Sequence, residues 1–496
     1  MKISEVVEQN PWWAEGEDFS SSDNHLKGAR PIFFKRRSLK MHPNCIYILR
    51  GPRQVGKSTY LKETIERLLK EGVRNRDIMY LSVDFFTSRR ELRGAIEYFF
   101  ESTITSERIY IFFDEITALP DWNQELKRIA DLGAIQKAVI VCSGSSAFRL
   151  KEKAELLPGR GLEGNEFYIK PLCFREYALQ LIPYICEIIS SEEIKTQLKR
   201  LLPILSDLEI HMDGTFDDLR SAILDLLPFR KILRYIFRLY LTTGGVPYVI
   251  NHFLQNYKEG TENISSEVSE IFIRSVMGDI SKLGRQEILA REILKTLVTT
   301  YGSRFSFSKL SHTLGRNHAT IIDYLDIMEQ SFIILIHYAL DFGRKEIKYK
   351  GNKKIFFLDP FIYYSIKSYL RGVDVWDIIR ETLENEELLG CLIEGIVITH
   401  LIMHGELPYL RNGKTFLWYY YDKSGKEIDA VYRLKRGFRA IEIKYQMNVD
   451  KRDIKRVSDI DDYIILSRED FKVTDNLIIL PVDIFLALLP VSKANI

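Results

Sequence analysis

The feature that most restricts this chain is an eight-residue loop, Gly51-Pro52-Arg53-Gln54-Val55-Gly56-Lys57-Ser58, which fits the pattern G-x-x-x-x-G-K-[ST]. It follows an apolar run, CIYILR, from Cys45. It opens a stretch, TYLKETIERLLKEG, in which Leu61, Ile65, Leu68 and Leu69 recur at helical spacing and Gly72 suits a C-terminal cap. Strand, glycine-rich turn and helix in that order wrap successive backbone N–H groups and a helix N-terminus around an anion. In such a loop the Lys57 ammonium neutralises the β- and γ-oxygens of a nucleotide and the Ser58 hydroxyl ligates its magnesium. The remaining residues through Thr59 form the cradle. Further apolar runs, IMYLSVDF, RIYIFFDE and AVIVCSGS, alternate with helical stretches, as a parallel α/β sheet requires.

Two acids close the run Arg108-Ile109-Tyr110-Ile111-Phe112-Phe113-Asp114-Glu115. At a strand end, successive carboxylates can serve a metal and a nucleophile. We expect Asp114 to hold Mg²⁺, directly or through water, and Glu115 to orient and deprotonate the attacking water. Beyond the next apolar run, Ser143 or Ser145 could bond the γ-phosphate or the lytic water, or the tip could be an ordinary Ser/Gly turn. Arg160, in LPGRGLEG, reads as an arginine finger across a homo-oligomer interface, as a sensor within its own chain, or as a loop arginine folded onto a carboxylate.

At roughly 100–200 residues per domain, 496 residues make about three or four domains. Lys and Arg number 70 against 68 Asp and Glu, which excludes a uniformly basic coat; DNA contact would need local patches. The five cysteines (Cys45, Cys142, Cys173, Cys186, Cys391) are scattered, without metal-ligand spacing, as in a reducing cytoplasm. The N-terminus has no apolar signal region and no run reaches the ~18 apolar residues of a membrane span, so a cytoplasmic protein is expected. We expect a polar arm over 1–42, the P-loop domain over 43–170, and a helical lid or linker over 171–285 that contains the loop Thr242-Thr243-Gly244-Gly245-Val246-Pro247. A winged helix over 286–358, a connector over 359–384 and a second α/β domain over 385–496 complete the expectation.

The winged-helix expectation rests on FSKLSHTLGRNHATIIDYLDIMEQ, two helical patterns broken at Gly315, followed by FIILIHYAL and a hairpin-like IKYKGNKKIFFLD. Arg344, Lys345, Lys348, Lys350, Lys353 and Lys354 in that wing could contact phosphates, whereas Asp323, Asp326 and Glu329 on the second helix would repel a duplex. DNA contact and protein packing both remain open. A second basic cluster, Lys451, Arg452, Lys455 and Arg456, reads as a DNA contact or as a solvated helix face.

Near the C-terminus, Ala440-Ile441-Glu442-Ile443-Lys444-Tyr445-Gln446 alternates with period two, so Glu442, Lys444 and Gln446 share a face. Asp429, in GKEIDA, lies one strand earlier. This is the D…ExK arrangement of metal-dependent nucleases, in which carboxylates bind Mg²⁺ or Mn²⁺ and Lys444 would position or polarise a water. Glu394, a lone acid in LLGCLIEGIVITH, is costly to bury unless paired or metal-bound and is the candidate third carboxylate. An ordinary strand with an exposed Glu/Lys face is the competing reading.

Together, NPWW near the start, GPRQVGKST, FFDEI, the SGSS tip, LPGRG, YLTTGGVPYVI and EIDAVY…AIEIKYQ resemble the prokaryotic, especially archaeal, AAA+ ATPase family whose C-terminal domain is similar to PD-(D/E)xK nucleases. The resemblance implies a multidomain α/β protein: a parallel-sheet P-loop core, a helical lid, a winged helix and a restriction-endonuclease-like end. It carries ATP and Mg²⁺ onto Lys57, Ser58, Asp114 and Glu115, and metal binding onto Glu394, Asp429, Glu442 and Lys444. Ile428-Asp429 departs from the expected Pro-Asp. The expected function is ATP hydrolysis coupled to DNA handling. The alternative is a nucleotide-dependent switch or scaffold whose nuclease-like domain is inactive and binds DNA or protein.

Overall fold

The computed structural model describes residues 3–28, 30–131, 133–144, 165–208, 210–212, 214–403, 417–434, 437–449 and 456–490. Ser145, Arg160, Lys451, Arg452 and Lys455 lie outside the described residues. The chain divides into two compact units, one ending at Lys170 and one beginning at Pro171.

The first unit is built on a five-stranded, all-parallel sheet ordered β2-β3-β4-β1-β5. Its strands are β1 (Cys45–Arg50), β2 (Ile78–Ser82), β3 (Ile109–Asp114), β4 (Ala138–Ser143) and β5 (Glu166–Tyr168). Both faces of the central strands are covered, which is why β3 and β4 read as unbroken apolar runs rather than alternating ones. β4 lies between β1 and β3: Cys142 pairs with Ile48 on one side and with Phe113 on the other.

The polar arm expected over 1–42 is part of this core. Trp12 and Phe19 are wholly buried and pack with the sheet. The arm also answers a specific need, because β2 is an edge strand whose outer N–H and C=O groups lack a neighbour. Asn10 Oδ1 accepts from Tyr80 N (2.7 Å) while its Nδ2 donates to Tyr80 O (2.9 Å), so one side-chain amide replaces a strand neighbour. Both Trp12 and Trp13 Nε1 donate to Ile78 O, at 3.0 and 2.7 Å, and Gln9 Oε1 accepts from Ser82 N at 2.7 Å.

Among the described residues the second unit begins with six α-helices between Phe174 and Lys282. Helices Glu287–Thr299, Phe307–Leu314 and His318–Gln330 follow, then a ribbon in which β6 (Ile334–Tyr338) pairs antiparallel with β9 (Lys353–Phe357). Short strands β7 (Leu340–Asp341) and β8 (Glu346–Ile347) pair farther along the ribbon. The connector expected over 359–384 is instead two helices, Pro360–Arg371 and Val375–Glu384, with Phe361, Ile362, Tyr364, Ile366, Ile378 and Ile379 in the core. The chain ends in a six-stranded mixed sheet ordered β10-β11-β12-β13-β15-β14. Its strands are β10 (Leu417–Tyr421), β11 (Glu427–Arg433), β12 (Phe438–Ile443), β13 (Asp462–Ser467), β14 (Lys472–Thr474) and β15 (Leu477–Pro481). Helix Glu386–Met403 precedes it. Among the described residues no helix is long and apolar enough to cross a membrane.

The TTGGVP loop explains why the expected modules beyond residue 170 share one unit. Gly244 turns at φ +65°, and Gly245 N donates to the buried Asp359 carboxylate at 2.7 Å, while Leu172 N donates to Gly245 O at 2.7 Å. Asp359 also caps the helix Pro360–Arg371 through Phe361 N. A Cβ on Gly245 would stand 2.1 Å from Leu172 O, so only glycine allows this approach. Nearby, His400 Nε2 accepts from Phe174 N (2.9 Å) and its Nδ1 faces Ile396 O (2.7 Å), the neutral tautomer.

Two outcomes follow for the second unit. Gly245→Ala should destabilise it by about 1–3 kcal/mol or more through overpacking, read as a lowered urea midpoint at unchanged m-value. Burial pushes the His400 imidazole down to about 4 from an ordinary 6.5. The native ring stays neutral where the unfolded ring protonates, so its contribution is complete above about pH 6.5 and lost as pH falls toward 4. The stability gap between wild type and His400→Gln should therefore shrink from pH 7 to pH 4.5.

Candidate functional site

Gly51 leaves β1 so close to Ile169 that an added Cβ would lie 1.9 Å from its carbonyl oxygen. Gln54 (φ +63°) and Gly56 (φ +92°) adopt left-handed backbone, which curls the loop before the helix Lys57–Lys70 begins. No side chain caps that helix, as suits an N-terminus reserved for an anion. Lys57 Nζ reaches back over the loop to Gly51 O (2.9 Å) and Pro52 O (2.7 Å). Gln54 Oε1 is buried with no protein donor. A glycine-bounded cradle, a lysine laid across it, an uncapped helix start and an unmatched buried acceptor all fit a phosphate chain with its hydrated metal. Ser58 and Thr59 open the helix at the same end, half-buried.

Asp114 ends β3 with its carboxylate held on three sides: Tyr80 Oη donates at 2.8 Å, Ser143 Oγ donates to the other oxygen, and Glu115 N approaches at 3.1 Å. Burial first, then the Asp114 charge, pushes the Tyr80 phenol far up, so it remains a donor. Ser143, expected at the γ-phosphate or the lytic water, is instead wholly buried with its hydroxyl spent on Asp114. Glu115 stands at φ +51°, a left-handed conformation that L side chains adopt at a cost of about 1–2 kcal/mol. Behind Tyr80, the buried Lys62 ammonium lies 3.9 Å from that ring and 5.0 Å from the Trp12 ring, and 3.4 Å from Asp23. The arm, the sheet edge and the acid are thus in one chain of contacts.

The C-terminal candidates separate into two groups. Glu442 is buried and its carboxylate pairs with Lys444 Nζ at 2.7 Å, two residues on and just past the end of β12. Glu394 and Asp429 meet elsewhere, on Lys354: Nζ lies 2.6 Å from Glu394 Oε1, 2.6 Å from Glu427 Oε1 and 3.2 Å from Asp429 Oδ1. Burial alone would lower the Lys354 pKa, but Asp429, Glu394 and Glu427 reverse this and hold the ammonium well above the ordinary lysine range. Among the described residues no group of three or more His, Cys, Asp or Glu is placed to hold a metal ion.

Two wing lysines also differ from expectation. Lys353 and Lys354 are buried, the first donating to Tyr349 O and Gly351 O, so neither offers charge to a phosphate. Arg344, Lys345 and Lys350 remain exposed. On the helix His318–Gln330, Asp323 pairs with Arg285 at 2.7 Å and Glu329 accepts from Ile336 N at 2.9 Å. Tyr80, Glu427 and the burial of Lys354 escaped sequence reasoning. Tyr80 carries no local signal, and a lysine in a basic hairpin reads as solvated until its long-range partners are known.

Residues 43–178 match the family described as AAA domain. Two families described as domains of unknown function match residues 234–372 (DUF8612) and 389–491 (DUF4143). An uncharacterised protein of Methanocaldococcus jannaschii is 21% identical over 337 residues, covering 66% of this chain and 64% of that one. One from Haemophilus influenzae is 25% identical over 327 residues, covering 63% and 67%. The match thus spans about two thirds of the length of these relatives. The Walker-type ATPase PABY2304 of Pyrococcus abyssi aligns at a TM-score of 0.38 and 14% identity, over 65% of this chain and 91% of that one. The AAA-domain match and the loop geometry agree that the first unit holds a P-loop ATPase-type domain.

Lys57→Ala should abolish ATP binding or turnover, read by nucleotide titration and phosphate release. Tyr80→Phe removes one hydrogen bond to a charged acceptor, of order 1.5–3 kcal/mol. It should lower kcat about ten- to a hundredfold with KM for ATP little changed, and an unchanged kcat would deny Tyr80 any hold on Asp114 that matters for turnover.

Proposed function

We propose that the chain is a Mg²⁺-dependent ATPase that couples nucleotide turnover to DNA handling through a winged helix and a nuclease-like domain. The observation that carries the ATPase reading is the pairing of a P-loop on β1 with a fixed Asp114 on β3, one strand apart at the same sheet end. On this reading Gly51 to Thr59 cradle the phosphates, Lys57 leaves its carbonyl partners for the β- and γ-oxygens, and Ser58 and Asp114 hold Mg²⁺. Glu115 takes the proton of the attacking water. Arg160 is proposed as the residue that senses or completes the site, from its own chain or from a second copy in a homo-oligomer.

DNA contact is supported by the order helix, bridge residue Phe305 against Lys353, helix, left-handed Gly315, helix, ribbon. Arg316, Asn317 and His318 are exposed where the second helix begins. The pairing of Asp323 with Arg285 and the hydrogen bond from Ile336 N to Glu329 remove much of the repulsion these charges would cause. The nuclease-like reading is supported by a helix followed by antiparallel β10-β11-β12 continuing into parallel β13, with Asp429 on β11 and Glu442 on β12. The lysine among Glu394, Glu427 and Asp429 favours the second reading for this domain: a nuclease-like fold used for binding, within a nucleotide-dependent switch.

Glu115→Gln should retain ATP while nearly stopping hydrolysis; lost binding would make Glu115 structural. Arg316→Ala should weaken duplex binding across sequences and reduce the slope of log affinity against log salt by about 1, measured by fluorescence anisotropy. An unchanged slope would turn the module toward protein packing.

A further inference from the structure

Lys354 belongs to the ribbon, yet its ammonium lies among acids contributed by other elements. Glu394 comes from the helix Glu386–Met403, and Glu427 and Asp429 from β11. Three N–H donors meet three carboxylate oxygens, at 2.6, 2.6 and 3.2 Å, so the lysine is saturated. These are N–H···O lengths, whereas Mg²⁺ requires oxygens at about 2.0–2.1 Å. Two of the three remaining oxygens are engaged as well: Arg304 Nε takes Glu427 Oε2 at 3.0 Å and Ile443 N donates to Asp429 Oδ2 at 2.9 Å. The neighbouring residue in register, His337, faces Asp429 O through Nε2 at 3.0 Å. The ribbon is thus fastened to β11 beside the ammonium.

We propose that the Lys354 ammonium occupies the position of a divalent cation in the carboxylate cluster of Glu394, Glu427 and Asp429, and closes that cluster to metal. The inference rests on the nuclease-like reading of this domain and deepens it. Three half-buried acids crowded together need positive charge to be stable, and the buried Lys354 from another module supplies it without a metal. Glu442 and Lys444, paired with each other, lie outside this set. Removing the ammonium leaves oxygen donors suited to Mg²⁺ or Mn²⁺.

The test uses the full chain, free of nucleotide, with Mn²⁺ binding followed by electron paramagnetic resonance. Wild type is expected to bind no equivalent that depends on Asp429. Lys354→Met, which keeps the stem and removes the charge, should bind one equivalent at least tenfold tighter than any wild-type binding, and adding Asp429→Asn should abolish it. Bare acids repel, so Lys354→Met with Glu427→Gln is measured alongside, both refolded with Mn²⁺ present. A wild-type equivalent lost in Asp429→Asn overturns the inference. So does a folded Lys354→Met chain that binds none, or failure of both variants to fold with Mn²⁺, which would reduce Lys354 to a structural ion pair. DNA cleavage by the same proteins separates the two readings. Metal binding without cleavage keeps the inference and removes the nuclease, whereas Asp429-dependent cleavage by wild type does the reverse.

Discussion

Ile78, Tyr80 and Ser82 lie on the outer edge of a buried parallel sheet, where the side chains of Gln9, Asn10, Trp12 and Trp13 match Ile78 O, Tyr80 N, Tyr80 O and Ser82 N. Unmatched buried amides cost about 1–3 kcal/mol each, so this edge could not stay bare. The closure has a second effect. The residue whose backbone Asn10 pairs is the one whose phenol holds Asp114. The Lys62 ammonium lies over both that phenol ring and the Trp12 ring. The polar start of the chain is therefore structurally continuous with Asp114 at the end of β3.

The second unit obeys the same rule with charges in place of amides. Asp359 is wholly buried and pushed up to about 7 by that burial, opposed by bonds from Gly245 N and Phe361 N. It ties a glycine loop to the start of a helix more than a hundred residues away in sequence. Lys354 does so with three acids, and Arg439 does so with Met212 O, Gly214 O and Asp462. Removing one member of such a set leaves the others buried and unmatched, which is why the segments expected as separate modules behave as one body.

At the nucleotide site, the parts that touch phosphate are local and the parts that hold them are not. The loop's curl comes from Gln54 and Gly56, adjacent in sequence to Lys57. The fixation of Asp114 needs Ser143 from β4 and Tyr80 from β2, two strands flanking its own. Strain at Glu115 is affordable only because the strand before it is buried along its whole length.

Sequence alone determined the P-loop, its strand and helix, the parallel core and the strands β10 to β13 and β15, because each depends on neighbours within a few residues or on a periodicity of burial. It also marked Asp114, Glu115, Glu394 and Asp429 as acids needing an explanation. Tertiary structure decided what that explanation is. Ser143 serves Asp114, the arm completes a sheet edge, the supposed connector is core, and Lys354 of a basic hairpin is withdrawn into the acids. Local pattern reports how polar a residue is. Which buried partner balances it is set by long-range packing, where the cost of an unmatched charge outweighs any local preference.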